Sequence, residues 1–548
     1  MPSPSLATER VWRQLLPALC CLLVVSLAEK FQLSDGVLRD PFHQGEYFAG
    51  LATLLSDHAD ILPLTVHGAL DYLPGLLALK LFGPQAHFFP TLLAYQLLDL
   101  TAAILLLMVT FELLGNRPGN SLLLLATVIA APLLVMDKDV LLLASIYLYF
   151  LSQRHDGGER RLLEVLLGVA LACGVFWSYD RGIAGAVSVG TACLIQAWGD
   201  RRYLTTLVVF PMVALALGRL WPAFGPENYF FSISVLAETA AQWSYGWEAG
   251  AVIRTAFLGW STLMALWLLV ASVAARGFAV GRVANAALFG CLCLFLFKMG
   301  TNRADLWHLL GALWGPMLVG VHWYSGYSEQ VAEHSNKAGL VSKAALFVFF
   351  CFLAVLGFLY PLAAFIAIGV IVAIAAASTN QASAVDRWPQ ILCAAALAVC
   401  GFVEVNSIAN GISAGRYAWT EHLGSLPANS MLVGEDVRWV AQELTRAGAR
   451  CVFDLSNHGL INGLTGLPAC SRFTYPVYAD QRYEQELVEA VNSRAPQAIV
   501  FSSTDWSYSI DGKPMSARFP HLTQVLREEY GSEKCAFGQC IRYRGGAE

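Results

Sequence analysis

Residues 88–114 read FFPTLLAYQLLDLTAAILLLMVTFELL, an apolar run longer than the roughly 20 residues a helix needs to cross a hydrocarbon core. Runs of the same kind recur near residues 14–31, 120–136, 139–152, 162–178, 182–198, 203–221, 250–274, 284–297, 306–323, 342–358, 360–377 and 390–406. Some are short, and 120–152 reads either as a hairpin or as a broken pair. Composition agrees with the pattern: 56% of 548 residues are hydrophobic and 14% charged, where soluble domains carry about 25% charged residues. The sequence therefore predicts a polytopic α-helical membrane protein, with about 13 transmembrane helices over residues 1–406. The first run reads as a retained span. Arg10 and Arg13 precede Leu15–Leu27, but no small-residue cleavage site of the usual form follows. A net charge of −5 gives no reason to expect a nucleic-acid partner.

Loop charge sets the orientation. With the N-terminus in the cytoplasm, the cytoplasmic loops hold Arg117; Arg154, Arg160 and Arg161; Arg201 and Arg202; Arg276 and Arg282; Lys337 and Lys343; and Arg387. The opposite loops hold Asp40–Glu46, Asp137–Asp139, Tyr179–Arg181, the aromatic stretch 222–250, and Lys298–His308. An odd number of spans places the tail, residues 407–548, on that second face. The first outer loop, about residues 32–87, is long. Gly45–Leu55 is expected to lie on the interface as an amphipathic helix. Residues 61–86, which include His67, Asp71 and Tyr72, read as a second interfacial helix or a re-entrant segment; a span there would invert everything after it, and the pattern of basic loops argues against one.

The tail changes character. Helical patterns over 431–446 and 483–492 alternate with strand patterns over Arg450–Leu455 and Ala498–Ser502, predicting a small C-terminal α/β domain outside the cytoplasm. No Gly-rich phosphate loop follows either strand. Four of the 13 cysteines, Cys451, Cys470, Cys535 and Cys540, lie in this region. An even number fits an oxidising compartment and up to two disulfides, or four free thiols.

Chemistry-bearing residues gather on the outer face. Asp40-Pro41-Phe42-His43-Gln44-Gly45-Glu46 follows the first span. Pro41 and Gly45 favour a turn, and a carboxylate partly buried there is suited to general-base work; a solvated capping loop is the plain reading of the same residues. Lys298, Arg303, Asp305 and His308 join two later runs. Lysine offers a phosphate a point charge and arginine a planar fork, and Asp305 and His308, three apart, share a helix face. Snorkelling accounts for the two cations but not for Asp305 and His308 entering an apolar segment. Asp180 and Arg181 mark another outer turn beside Trp177 and Tyr179. Asp137-Lys138-Asp139 reads as a polar hairpin tip, or as a pair that binds a metal or supports the base. His43 and His67 are isolated histidines and do not make a metal motif. No H-E-x-x-H or G-x-S-x-G occurs. Glu112 and Glu164 are the acidic residues marked within the runs, near their ends. A transporter of lipid-linked saccharide, the alternative function, needs ionisable groups near the midplane, whereas here they crowd one surface.

This arrangement, with its D-x-x-H-x-G-E loop at Asp40–Glu46, resembles the GT-C superfamily of glycosyltransferases, and more loosely the bacterial arabinofuranosyltransferases. The resemblance implies transfer of a sugar from a polyprenyl-phosphate donor to a glycan or protein acceptor on the periplasmic face of a bacterial inner membrane. It implies Asp40 as the base, with Glu46 second. It implies Lys298, Arg303, His308 and Arg181 on the donor phosphate, and His43, Asp180 and Asp305 in contact with substrate. No metal ligand is assigned, and a divalent cation stays open. Asp40 is followed by Pro41, not by the second acid of the family's usual pair. Similar tails frame the acceptor, which suits the aromatics around Arg472.

Overall fold

A computed structural model describes residues 15–30, 41–56, 62–83, 87–114, 120–220, 223, 225–239, 249–303, 306–332, 433–456, 458–479, 481–502 and 515–545. Within these, the apolar runs are helices: α1 (Leu16–Lys30), α4 (Phe88–Leu114), α5 (Asn120–Leu134), α6 (Val140–Ser152), α7 (Gly157–Trp177), α8 (Tyr179–Asp200), α9 (Leu204–Leu220), α11 (Ala249–Arg276), α12 (Val280–Arg303), α13 (Leu306–Leu310) and α14 (Trp314–Ala332). Three stretches, Pro90–Leu114, Tyr179–Gly199 and Val280–Asn302, are long and apolar enough to cross a membrane, and Leu204–Leu220 and Leu258–Ala274 are shorter apolar helices. The runs at 342–358, 360–377 and 390–406 lie outside the described residues, so the expected count of spans rests on sequence there. Within residues 120–152, a 3-10 turn at Asp137–Asp139 separates α5 from α6.

One apolar core runs through the bundle. Its helices pack closely where side chains are smallest. Gly182 of α8 sits against the carbonyl of Gly174 in α7, with no room for a Cβ. Between these two helices the chain spends a single residue, Ser178, so the turn carrying Asp180 and Arg181 is tight.

The first outer loop contributes two short helices. The second, α3 (Leu73–Phe82), follows a 3-10 turn at Ala69–Tyr72. Its 10 residues are too few to span, and Leu77 and Leu81 are exposed. The first, α2 (Pro41–Leu54), corrects the expectation of an amphipathic surface helix. Residues 45–51 are all buried, because the tail covers the face that would otherwise meet water. A further short helix, α10 (Pro226–Thr239), lies within the aromatic outer stretch.

The tail contains α15 (Glu435–Arg446), β1 (Phe453–Asp454), α16 (Leu460–Thr465), α17 (Glu484–Arg494), β2 (Ala498–Ser502), α18 (Met515–Arg518), α19 (Pro520–Glu529), β3 (Tyr530–Ala536) and β4 (Gln539–Arg544). Sheet order is β1-β2-β4-β3, with β1 parallel to β2 and the other pairs antiparallel. The strand expected over 450–455 narrows to Phe453–Asp454, and the β3–β4 hairpin goes unforeseen in the sequence. Phe537 and Gly538, both at positive φ, turn it in the mirror-image geometry that suits twisted strands. The tail cysteines form two disulfides, Cys451–Cys470 and Cys535–Cys540.

The tail shares its core with the membrane part. Phe48, Phe88 and Leu92 pack with Val437, Val440, Leu460 and Ile541, and Ala49, Leu64 and Val235 pack with Phe453, Phe473 and Tyr478. At the tightest point Gly45 of α2 meets Gly459 backbone to backbone. A side chain at either position would push the two parts away from each other.

Candidate active site

A cluster of buried polar groups lies beneath the tail, at the ends of the helices that the tail covers. Two adjacent residues of α2 enter it. Tyr47 donates to Asp137 Oδ2 at 2.7 Å, with its ring stacked on Tyr95, centroids 3.6 Å apart. Glu46, 5% exposed, has Oε2 2.9 Å from His67 Nε2, and its Oε1 accepts from the Tyr478 hydroxyl of the tail.

The segment preceding α3 is tied at several points. Leu64 N donates to the Arg472 carbonyl at 2.7 Å. The His67 carbonyl accepts from Tyr179 N at 2.7 Å. Gly68 lies so close to the Phe176 carbonyl that no Cβ fits. His67 is held below the ordinary histidine range, by burial first and then by Lys138, so it is neutral near pH 7 and donates through an N–H. Asp71 is 2% exposed, and its Oδ1 has no hydrogen-bond partner among the described residues. Burial, followed by the neighbouring Asp137, pushes its carboxyl well above the usual range, with Lys138 opposing.

The 3-10 turn at Asp137–Asp139 is the centre of the cluster. Asp137 N donates to Asp99 Oδ1 at 2.7 Å, and Trp177 Nε1 donates to the Asp137 carbonyl at 3.1 Å. Asp139, fully buried, accepts from Met136 N at 3.1 Å and lies 3.1 Å from Arg181 Nε. Burial raises its carboxyl to about 6 against the pull of Arg181. Arg181 is itself buried, and its Nη1 reaches Met299 Sδ at 3.1 Å, next to Lys298 in α12. An unbroken series of contacts thus runs from α2 through Asp137 and Arg181 to the cation-bearing end of α12.

The residues singled out in the sequence divide as follows. Glu46 and Arg181 belong to the cluster. Asp180 is exposed, and its Oδ1 accepts from Ser178 Oγ at 2.6 Å and Arg181 N at 2.7 Å, which fixes the start of α8. Lys298 is exposed near the end of α12, and His308 is half-buried on α13, where its backbone packs against Gly300. Arg303 is the last residue of α12 and His43 belongs to α2; their side chains lie outside the described residues, as do Asp40 and Asp305 entirely. Asp99 goes unmarked in the run 88–114, although the high cost of a carboxylate within an apolar helix is signal enough to find it. Tyr47, Tyr478 and the role of Asp71 have no comparable local signal. Among the described residues, the group of metal-type ligand atoms within 4.8 Å of one another is Glu533, Cys535 and Cys540; its two sulfurs are joined as a disulfide, which leaves no thiolate to bind a metal.

No family model matches the chain, and comparison with the curated proteins finds no match. Among solved structures the fold is similar to ArnT from Cupriavidus metallidurans in the apo state, with 14% identity and TM-score 0.47 over 98% of each chain. It is also similar to the archaeal oligosaccharyltransferase AglB from Archaeoglobus fulgidus, solved with an inhibitory peptide and a dolichol-phosphate (10% identity, TM-score 0.44, 98% of this chain and 74% of that one). An Archaeoglobus fulgidus oligosaccharyltransferase in complex with Zn and sulfate has 11% identity and TM-score 0.40, over 94% of this chain and 71% of that one.

Proposed function

We propose that the chain is a GT-C-type glycosyltransferase of the bacterial inner membrane, transferring a sugar from a polyprenyl-phosphate donor to a glycan or protein acceptor on the periplasmic face. The observation that carries this reading is the line of buried contacts from α2 through the Asp137–Asp139 turn to Arg181 and Met299, beside which this reading sets the acid-rich turn at Asp40 and the cations of Lys298–His308. Tyr47, next to Glu46, connects through the Asp137–Asp139 turn to Arg181, and Arg181 touches Met299 beside Lys298. A sugar phosphate placed there has a carboxylate on one side for the acceptor hydroxyl and cations on the other for the departing phosphate, where negative charge develops.

In this reading Asp40, one residue before α2, takes the acceptor proton as the hydroxyl attacks the anomeric carbon, with inversion. Arg181, Lys298, Arg303 and His308 hold the phosphate. His43, Asp180 and Asp305 contact the sugars, and the prenyl chain lies along the membrane-facing helices. A further observation favours a reaction at one face over a transporter. At the far ends of α6, α8 and α12, the buried Tyr149 hydroxyl donates to Asn285 Oδ1 at 3.1 Å and accepts from Gln196 Nε2 at 3.3 Å. Tyr203 and Ser152 share a hydrogen bond of 2.8 Å beside it. A polar network satisfied and buried in this way rigidifies the opposite end of the bundle.

The test is transfer from a panel of undecaprenyl- and decaprenyl-phosphate pentoses and hexoses, with and without chelator. The wild-type chain is expected to use at least one donor. Asp40→Asn is expected to bind that donor normally and lose about 100- to 10,000-fold in turnover, the range of general-base catalysis. Normal turnover by Asp40→Asn removes Asp40 from the mechanism, and no transfer from any donor removes the function.

A further inference from the structure

Among the described residues, the tail reaches the Glu46 carboxylate through the Tyr478 hydroxyl. Tyr478 ends the 3-10 turn Pro476–Tyr478 and is buried with Val477 and Ala479. Its ring stacks on Tyr475, with centroids 5.9 Å apart and 17° between planes. The Tyr475 hydroxyl accepts from Gly459 N at 2.9 Å and lies against Gly45. Two tail tyrosines therefore meet successive positions of α2, Gly45 and Glu46.

We infer that Tyr478 is a positioning residue for the transfer reaction: its hydroxyl holds Glu46 and, through Glu46, sets the rotation of α2 that presents Tyr47 to Asp137. The inference rests on the proposed function. Successive residues of a helix point about 100° apart, so Glu46 and Tyr47 face different partners, the tail and His67 on one side and Asp137 on the other. A turn of α2 about its axis would loosen both contacts and would move Asp40, at its leading end. A hydrogen bond from a phenol to a buried carboxylate has one geometry, so it adds orientation to the close packing of residues 45–51. The ring of Tyr478 supplies packing and its hydroxyl supplies orientation, so Tyr478→Phe separates the two.

Among the described residues, Glu46 is faced by His67, Asp71 and Tyr72 of the first outer loop and by Tyr478 of the tail, while Asp137 and Lys138 of the 3-10 turn act on His67 and Asp71 beside it. His67 is neutral and contributes a donor, not a charge. Loss of the Tyr478 hydroxyl removes a donor to the carboxylate, and hydrogen bonds to a charged form favour that form. In this inference the charged Glu46 carboxylate is what holds α2, so protonation of Glu46 ends turnover as protonation of Asp40 does, and the acid limb of the rate profile is expected to move to higher pH in the variant.

The experiment uses the full chain in nanodiscs with the polyprenyl-phosphate sugar from the panel on which the wild type is most active. Tyr478→Phe is expected to lower kcat about 10- to 100-fold, with the donor KM within about twofold and the acid limb raised by about one pH unit. Amide hydrogen exchange over residues 45–51 is expected to quicken. Tyr475→Phe, which removes a neighbouring hydroxyl from the same stack, is expected to leave the acid limb in place. Should Tyr478→Phe fail to fold, 2,3-difluorotyrosine at position 478 keeps the hydroxyl and makes it a stronger donor, and the acid limb is then expected to move to lower pH. Wild-type kcat and pH profile in Tyr478→Phe, unchanged exchange over 45–51, or equal shifts in both tyrosine variants would each overturn the inference and leave the proposed function standing. Absence of transfer by the wild type defeats the proposed function, while exchange in Tyr478→Phe still decides whether the hydroxyl holds α2.

Discussion

The Tyr47 hydroxyl donates to Asp137 at 2.7 Å across 90 residues of chain, joining the first outer loop to the turn between α5 and α6. Both groups are buried. Tyr47→Phe keeps the stack on Tyr95 and removes the bond. The expected outcome is a loss of about 1–3 kcal/mol, the cost of leaving a buried hydrogen-bonding group without its partner, read from thermal denaturation in detergent, with turnover reduced about tenfold or more.

Arg181 and Asp139 form a buried ion pair. Removing one partner of such a pair typically costs about 3–5 kcal/mol. Arg181→Gln is therefore expected to lower the melting temperature sharply. Arg181→Lys is expected to recover part of the stability but not donor affinity, because an ammonium lacks the planar fork that reaches Asp139 and Met299 together. Equal donor affinity in Arg181→Lys and wild type would show that a point charge suffices.

Asp139 also makes stability depend on pH. Its folded value, about 6, lies above the ordinary 3.8. The folded chain thus binds this proton more tightly than the unfolded chain, so the contribution is full below about pH 4 and is lost as pH rises through about 6. The expected melting temperature falls across that window. Asp139→Asn, which does not titrate, is expected to melt lower overall but with a flatter dependence over the same range.

Cys451–Cys470 ties the residue before Val452 to the segment after α16, with a sequence separation of 19, while Cys535–Cys540 spans only 5. Stabilisation by loop closure grows with loop length, giving about 3 kcal/mol for the longer loop and about 2 for the shorter. Replacement of Cys451 and Cys470 by alanine is expected to lower the melting temperature more than the same change at Cys535 and Cys540.

The tail is not expected to fold by itself. Its two cores include Phe48, Phe88 and Leu92, and Ala49 and Leu64, and Gly459 admits no side chain against Gly45. A secreted fragment of residues 433–548 is expected to aggregate, and Gly459→Val in the full chain to open the tail to protease. A soluble fragment with a cooperative unfolding transition would contradict this.

The helical runs, the tight outer turns and the α/β character of the tail were legible because each is written in local hydropathy and turn residues. Glu46 and Arg181 stood out as ionisable groups at a membrane surface. What decided their surroundings was not local. The α2 segment has the composition of an interfacial helix, and packing against Gly459, Leu460 and Tyr478 of the tail, with Tyr72, Phe88 and Tyr95 of the membrane part, buries it. Asp99 acquires its role from the backbone of Asp137, 38 residues on. The β3 strand, nearly all exposed at the sheet edge, lacks the alternation that marks a half-buried strand.

The central claim is that residues 40 and 298 flank one compartment on one side of the membrane. Single cysteines at these positions, in a chain whose free thiols have been replaced and whose tail disulfides are kept, can be labelled in intact spheroplasts with a membrane-impermeant maleimide. Labelling of both from outside is the expected result, with cross-linking of the double variant by a short bifunctional reagent. Labelling of one from outside and the other only after lysis would contradict the account.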